Sequence, residues 1–131
     1  MHVVIGGAFA GKSAYVKQAY PKAQWVTPKE YPDQVKEKTI IVSGISSWLQ
    51  EGGTEEKFWN WFSLIRKDLY PVLILQEMGQ GLVPMDAEDR RVRDENGRIA
   101  QRAVKEAVKA EYVWHGLIEC WKNVSEENTY S

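Results

Sequence analysis

A chain of 131 residues, 44% hydrophobic and 27% charged, has the size and balance of one globular domain with a sizeable core. Its net charge of −1 excludes a global field aimed at nucleic acid or an anionic membrane, so any basic site is local. One cysteine, Cys120, excludes an internal disulfide framework; with no transmembrane-length apolar run and no leader-like start at Met1–Gly6, the expectation is a cytoplasmic protein without nucleic-acid or membrane partners.

His2–Ile5 is a short β-branched run closed by Gly6-Gly7 and reads as a buried strand. Lys12–Ala19 reads as a helix that stops near Pro21. Gln24–Val26 is a second strand, and Thr27–Lys38, with two prolines and many charges, is a loop. Thr39–Val42 is a β-branched strand ending at Ser43-Gly44, after which Ser46–Gln50 begins a helix that Gly52-Gly53 breaks. Thr54 is an N-cap for Glu55–Leu69, whose Phe58, Trp61, Phe62, Ile65 and Leu69 form one apolar stripe. Pro71 ends the connection, Val72–Leu75 is the next buried strand, and Gln76–Met85 is a loop. Asp86–Ala110 reads as a helix with a break at Gly97. Tyr112–His115 and Ile118–Trp121 read as a last pair of strands joined at Gly116.

Strands alternate with helices, and the strands are continuous apolar runs. That pattern predicts a single α/β domain over 1–124 with a largely parallel sheet, followed by a polar tail over 125–131. Six tryptophans are many for this length and leave two readings, core packing or a platform for a flat ligand. Trp59 and Trp61 lie two apart, so a helix cannot bury both equally.

Gly6-Gly7-Ala8-Phe9-Ala10-Gly11-Lys12-Ser13 fits the pattern G-x-x-x-x-G-K-[ST] in full, directly after a predicted strand and at the start of a predicted helix. The chemistry of a triphosphate needs these residue types at this spacing. Glycines let backbone N–H groups converge on phosphate oxygens, and the helix start points its positive end at the same place. Lys12 is expected to reach the β and γ phosphates of ATP or GTP, and Ser13 to offer its hydroxyl to Mg²⁺. Such a site also wants an acid at a strand end. Ser43 is not one, so Glu77, just after Val72–Leu75, is the candidate for Mg²⁺ binding or general-base work. Arg91, Arg98 and Arg102 would share a stripe on one unbroken helix, either to neutralise phosphate charge or as a solvated basic face. His2 and His115 stand in apolar runs with no metal-ligand spacing and read as structural.

Two further segments resemble a known family. Glu77-Met78-Gly79-Gln80-Gly81-Leu82-Val83-Pro84 and Arg93-Asp94-Glu95-Asn96-Gly97-Arg98-Ile99-Ala100-Gln101-Arg102 look like the E-x-G-x-G-hydrophobic-V-P loop and R-D-x-x-G-R-x-x-Q-R helix of the adenosylcobinamide kinase/adenosylcobinamide-phosphate guanylyltransferase family. Thr39–Leu49 resembles a strand-to-helix segment of the family, with Trp48-Leu49 as its W-L helix start, and Ala110–Trp114 resembles its last strand, so the likeness covers most of the chain. It implies a three-layer, P-loop NTPase-like domain with a largely parallel, mixed-edge sheet, a corrinoid substrate, adenosylcobinamide, phosphorylated by ATP or GTP on its aminopropanol hydroxyl, and a homo-oligomer, a trimer in known members. It also implies phosphate binding or subunit contact for Arg98 and Arg102. The family passes GMP through a histidine between its second and third strands. Here that stretch, Pro28–Lys38, has no histidine, Ser43 replaces the acid at the strand end, and Met85 replaces the acid after V-P. A kinase that has lost guanylyl transfer is therefore the expectation, with a non-catalytic nucleotide-binding paralogue or a kinase for another small alcohol as alternatives.

Overall fold

The structure, a computed structural model, describes residues 1–7, 10–30, 34–65, 68–77 and 86–124. Ala8 and Phe9 of the glycine-rich loop, Gly79–Met85 with Met78, and the tail from 125 onward lie outside the described residues, so the expectations placed on them stand as sequence readings.

Among the described residues ten elements follow in order: β1 His2–Gly6, α1 Lys12–Ala19, β2 Gln24–Val26, β3 Thr39–Val42, α2 Ile45–Gln50, α3 Glu55–Ile65, β4 Tyr70–Gln76, α4 Ala87–Glu106, β5 Lys109–Trp114 and β6 Leu117–Asn123. The strands form one sheet in the order β2-β3-β4-β1-β5-β6. Every neighbouring pair is parallel except β5 with β6, which closes the edge as an antiparallel hairpin. The continuous apolar runs have the cause expected of parallel strands, because both faces are covered. On one face Val4, Ile41, Val72, Ile74 and Val113 pack with Val16 of α1. On the other, Val3, Ile5, Ile40, Val42, Leu73 and Leu75 meet α2, α3 and α4 through Leu49, Phe58, Phe62, Ile99 and Ala103.

Local signals set most helix ends. Thr54 accepts a hydrogen bond from Lys57 N, and the Glu95 carboxylate of α4 accepts one from Glu55 N at 2.5 Å, so α3 is capped twice. Asp86 caps α4 by accepting from Asp89 N at 2.8 Å. Trp59 is buried and Trp61 only partly so, as their spacing requires.

Several bounds differ from the sequence reading: β4 takes in Tyr70 and Pro71, β5 begins at Lys109 and leaves His115 in the turn, β6 spans Leu117–Asn123, and the helices differ as follows. Gly97 does not interrupt α4, which runs unbroken for 20 residues. One glycine costs a long helix roughly 1 kcal/mol, which the packing of Val92, Asn96, Ile99 and Ala103 offsets. The same helix ends at Glu106, short of the expected Ala110. Ala107 and Ala110 keep helical spacing, but Val108 N donates to Met1 O and His2 pairs with Lys109, so strand pairing overrides propensity. Finally, α3 ends at Ile65, and Asp68 takes a positive φ of 61 before β4 begins at Tyr70.

The face under α1 holds a polar cluster that joins β1, its neighbour β5 and the α1 region. His2, 1% exposed, places Nε2 2.5 Å from Glu111 Oε1 and Nδ1 2.7 Å from the Tyr20 hydroxyl. Tyr15 also donates to Glu111 Oε1, at 2.7 Å, and burial with that bond pushes its pKa up to about 12. Burial pulls the His2 imidazole below its ordinary pKa, against the opposing pull of Glu111. The folded chain therefore takes up this proton less readily than the unfolded one. Stability from this group is full above the ordinary imidazole pKa of 6.5 and falls as pH drops below it. Urea midpoints measured at about pH 7.5 and about pH 6 are expected to fall with acidity, and to fall less in His2→Gln. Equal slopes in the two proteins would assign the effect to other groups.

Candidate functional site

The carboxyl ends of β1 and β4 lie side by side, and their connections leave to opposite faces, β1 into α1 and β4 into α4. Such a point opens a crevice at the sheet edge, where open α/β sheets take their ligands. The glycine-rich loop starts there. A Cβ on Gly6 would lie 2.5 Å from Val113 O, so only glycine lets the chain leave β1 against β5. Gly11 caps α1 at φ 92, again a conformation suited to glycine.

Lys12 folds its ammonium back onto Gly7 O at 2.5 Å, and burial lowers its pKa. Lys12 and Ser13 border a cavity of about 380 Å³, whose other polar walls are Ser43, Ser46, Ser47 and Gln76. Thus the loop's lysine and hydroxyl, the start of α2 and the end of β4 converge on one cavity. Gln76 was not singled out in the sequence. The signal for it is strand alternation: Gln76 shares the face of Ile74, toward Lys12, and its carbonyl is held by Asn96 Nδ2 at 2.9 Å.

Glu77 lies at the same edge, with its N–H on Gly6 O at 2.8 Å, but its carboxylate turns to the other face. There it accepts a short hydrogen bond from the Tyr112 hydroxyl, which raises the tyrosine pKa. Glu77 does not line the cavity beside Lys12 and Ser13.

The arginine stripe exists on the unbroken helix but is directed at α2 and α3 within the chain. Arg91 donates to Gly53 O and Leu49 O and pairs with Glu88. Arg98 pairs with Glu55 and Glu95. Arg102 pairs with Glu106 and stands 4.4 Å over the Trp59 ring. Arg102 lies six residues beyond Asn96, roughly 9 Å further from the loop edge, so the structure does not bring it to the loop.

The donor set bears on Mg²⁺. The described cavity walls carry hydroxyls and an amide but no carboxylate, and no group of three or more His, Cys, Asp or Glu forms a metal site among the described residues. Mg²⁺ keeps most of its waters and binds largely through phosphates, so hydroxyls without a carboxylate would suit only a metal that arrives with a phosphate ligand.

Fold and site together define an α/β protein with a mostly parallel six-stranded sheet and a glycine-rich loop at its carboxyl edge. No model of a known protein family matches the chain, and no curated protein is significantly similar to it. No helix among the described residues is long and apolar enough to cross a membrane.

Proposed function

We propose that the chain is a P-loop phosphotransferase that uses Mg·ATP or Mg·GTP to phosphorylate a hydroxyl, with adenosylcobinamide as the acceptor its motifs suggest. The observation that carries this reading is the pairing of Lys12 and Ser13 on one cavity, at the end of a loop of sequence G-G-x-x-x-G-K-S between a parallel strand and a helix.

In this reading Lys12 leaves Gly7 O to bind the β and γ phosphates, and Ser13 would hold Mg²⁺, which would offset phosphate charge. The acceptor oxygen bonds to the γ phosphorus as the bond from that phosphorus to the β,γ-bridging oxygen breaks. A nucleoside diphosphate leaves. The hydroxyl proton passes to water, because the Glu77 carboxylate is turned to Tyr112 and does not line this cavity. Guanylyl transfer is lost, because Pro28–Lys38 offers no histidine nucleophile.

A second reading, a nucleotide-binding protein without catalysis, is favoured by one observation: the described cavity walls hold no carboxylate, with Ser43 and Gln76 at the two strand ends. Mass spectrometry of adenosylcobinamide after incubation with protein and Mg·ATP or Mg·GTP separates the two. A gain of one phosphoryl group is expected. Nucleotide binding with an unchanged corrinoid would favour the second reading, and a GMP adduct would contradict the loss of the second activity.

A further inference from the structure

The turn between β5 and β6 rests on the glycine-rich loop. Gly116 N–H donates to Ala10 O at 3.2 Å, and Val113 O is the atom a Cβ on Gly6 would strike. The sheet order β4-β1-β5 sets this turn on one side of the loop and Gln76 on the other. The turn carries two rings, Trp114 and His115, with centroids 5.0 Å apart and planes at 53°. Trp114 is 59% exposed and belongs to neither apolar cluster. His115 is held at φ 51, beside Gly116 at φ 78, where asparagine or glycine suits a two-residue hairpin turn better. Neither ring is explained by core packing or by the demands of the turn.

We propose that Trp114 and His115 form a stacking platform for the base of the nucleotide. This inference rests on the phosphotransferase reading above, in which the phosphates lie on Gly6–Ser13. The transferring end then faces the cavity toward β4, with Lys12, Ser13 and Gln76. The base faces the opposite side of β1, where the turn meets Ala10. Ribose and α phosphate span the interval. Stacking on an indole face is tolerant of the base, because every base has a π face, so the platform takes ATP and GTP alike.

The test compares Mg·ATP and Mg·GTP with inorganic tripolyphosphate, which has the phosphates and no base. Dissociation constants are measured for the wild type, Trp114→Ala, Trp114→Phe and His115→Asn. Trp114→Ala is expected to weaken both nucleotides by about tenfold or more and to leave tripolyphosphate unchanged. Trp114→Phe is expected to retain most of the affinity. His115→Asn fits the positive φ and keeps the hairpin, so its loss of nucleotide affinity reads the ring and not the fold. Unchanged nucleotide affinity in both Trp114→Ala and His115→Asn would overturn the platform. So would an equal loss for tripolyphosphate, or a changed oligomeric mass with nucleotide affinity intact, which would give the exposed rings to a second copy. Wild-type protein that binds neither nucleotide nor tripolyphosphate would instead overturn the phosphotransferase reading itself.

Discussion

Lys12→Ala is expected to lower phosphoryl transfer by about a thousandfold, equivalent to about 4 kcal/mol of barrier, with the fold intact. Charge on the transferring phosphoryl group is neutralised by placed cations, and transfer of this kind depends on little else. In the structure the Lys12 ammonium is the cation at the loop, already partly desolvated and held 2.5 Å from Gly7 O. Desolvation strengthens its pull on a phosphate oxygen. Its loss removes one side-chain hydrogen bond at the first residue of α1, so the unfolding midpoint is expected to move little. Lys12→Arg is not expected to rescue, because a planar fork cannot occupy the place of a compact ammonium. A steady-state transfer assay beside a thermal melt checks this. Intact turnover in Lys12→Ala would remove the loop from the mechanism.

Gly6→Ala is expected to destabilise the chain by about 3 kcal/mol, a fall of roughly 10 °C in Tm for a chain of this size. The added Cβ would stand 2.5 Å from the backbone oxygen of Val113, and backbone cannot swing aside as a side-chain end can. Relief requires β1 and β5 to part at the edge where His2 to Gly6 pair with Lys109 to Val113. Gly7→Ala is the matched control. A Cβ there meets nothing within 4 Å, so stability should hold while affinity for a triphosphate falls. Denaturant unfolding together with nucleotide titration of both variants separates the two roles. A Gly6→Ala chain as stable as the wild type would contradict the close approach of the two strands.

The parallel strands and the cap at Thr54 were legible because each rests on local spacing. Runs such as Val3–Ile5 and Ile40–Val42 have no polar alternation, and only a sheet covered on both faces buries them. What the sequence hid was long-range. The Ala107–Ala110 segment looks helical until it is set against β1. Besides Glu95 and Glu106 on their own helix, Arg98 and Arg102 meet Glu55 and the Trp59 ring of α3, so spacing along α4 left their role open. Glu77 was singled out for being acidic at a strand end, whereas alternation gives the cavity to its neighbour Gln76. The bond of His2 to Glu111 joins residues at the two ends of the chain, and no local rule reports it.

The most direct test of the central claim is a calorimetric titration of the full chain with Mg·ATP and Mg·GTP, repeated with Lys12→Ala. The account predicts one saturable site per chain, competed by tripolyphosphate and strongly weakened by the substitution. No saturable binding at millimolar nucleotide, or equal affinity in Lys12→Ala, would contradict it.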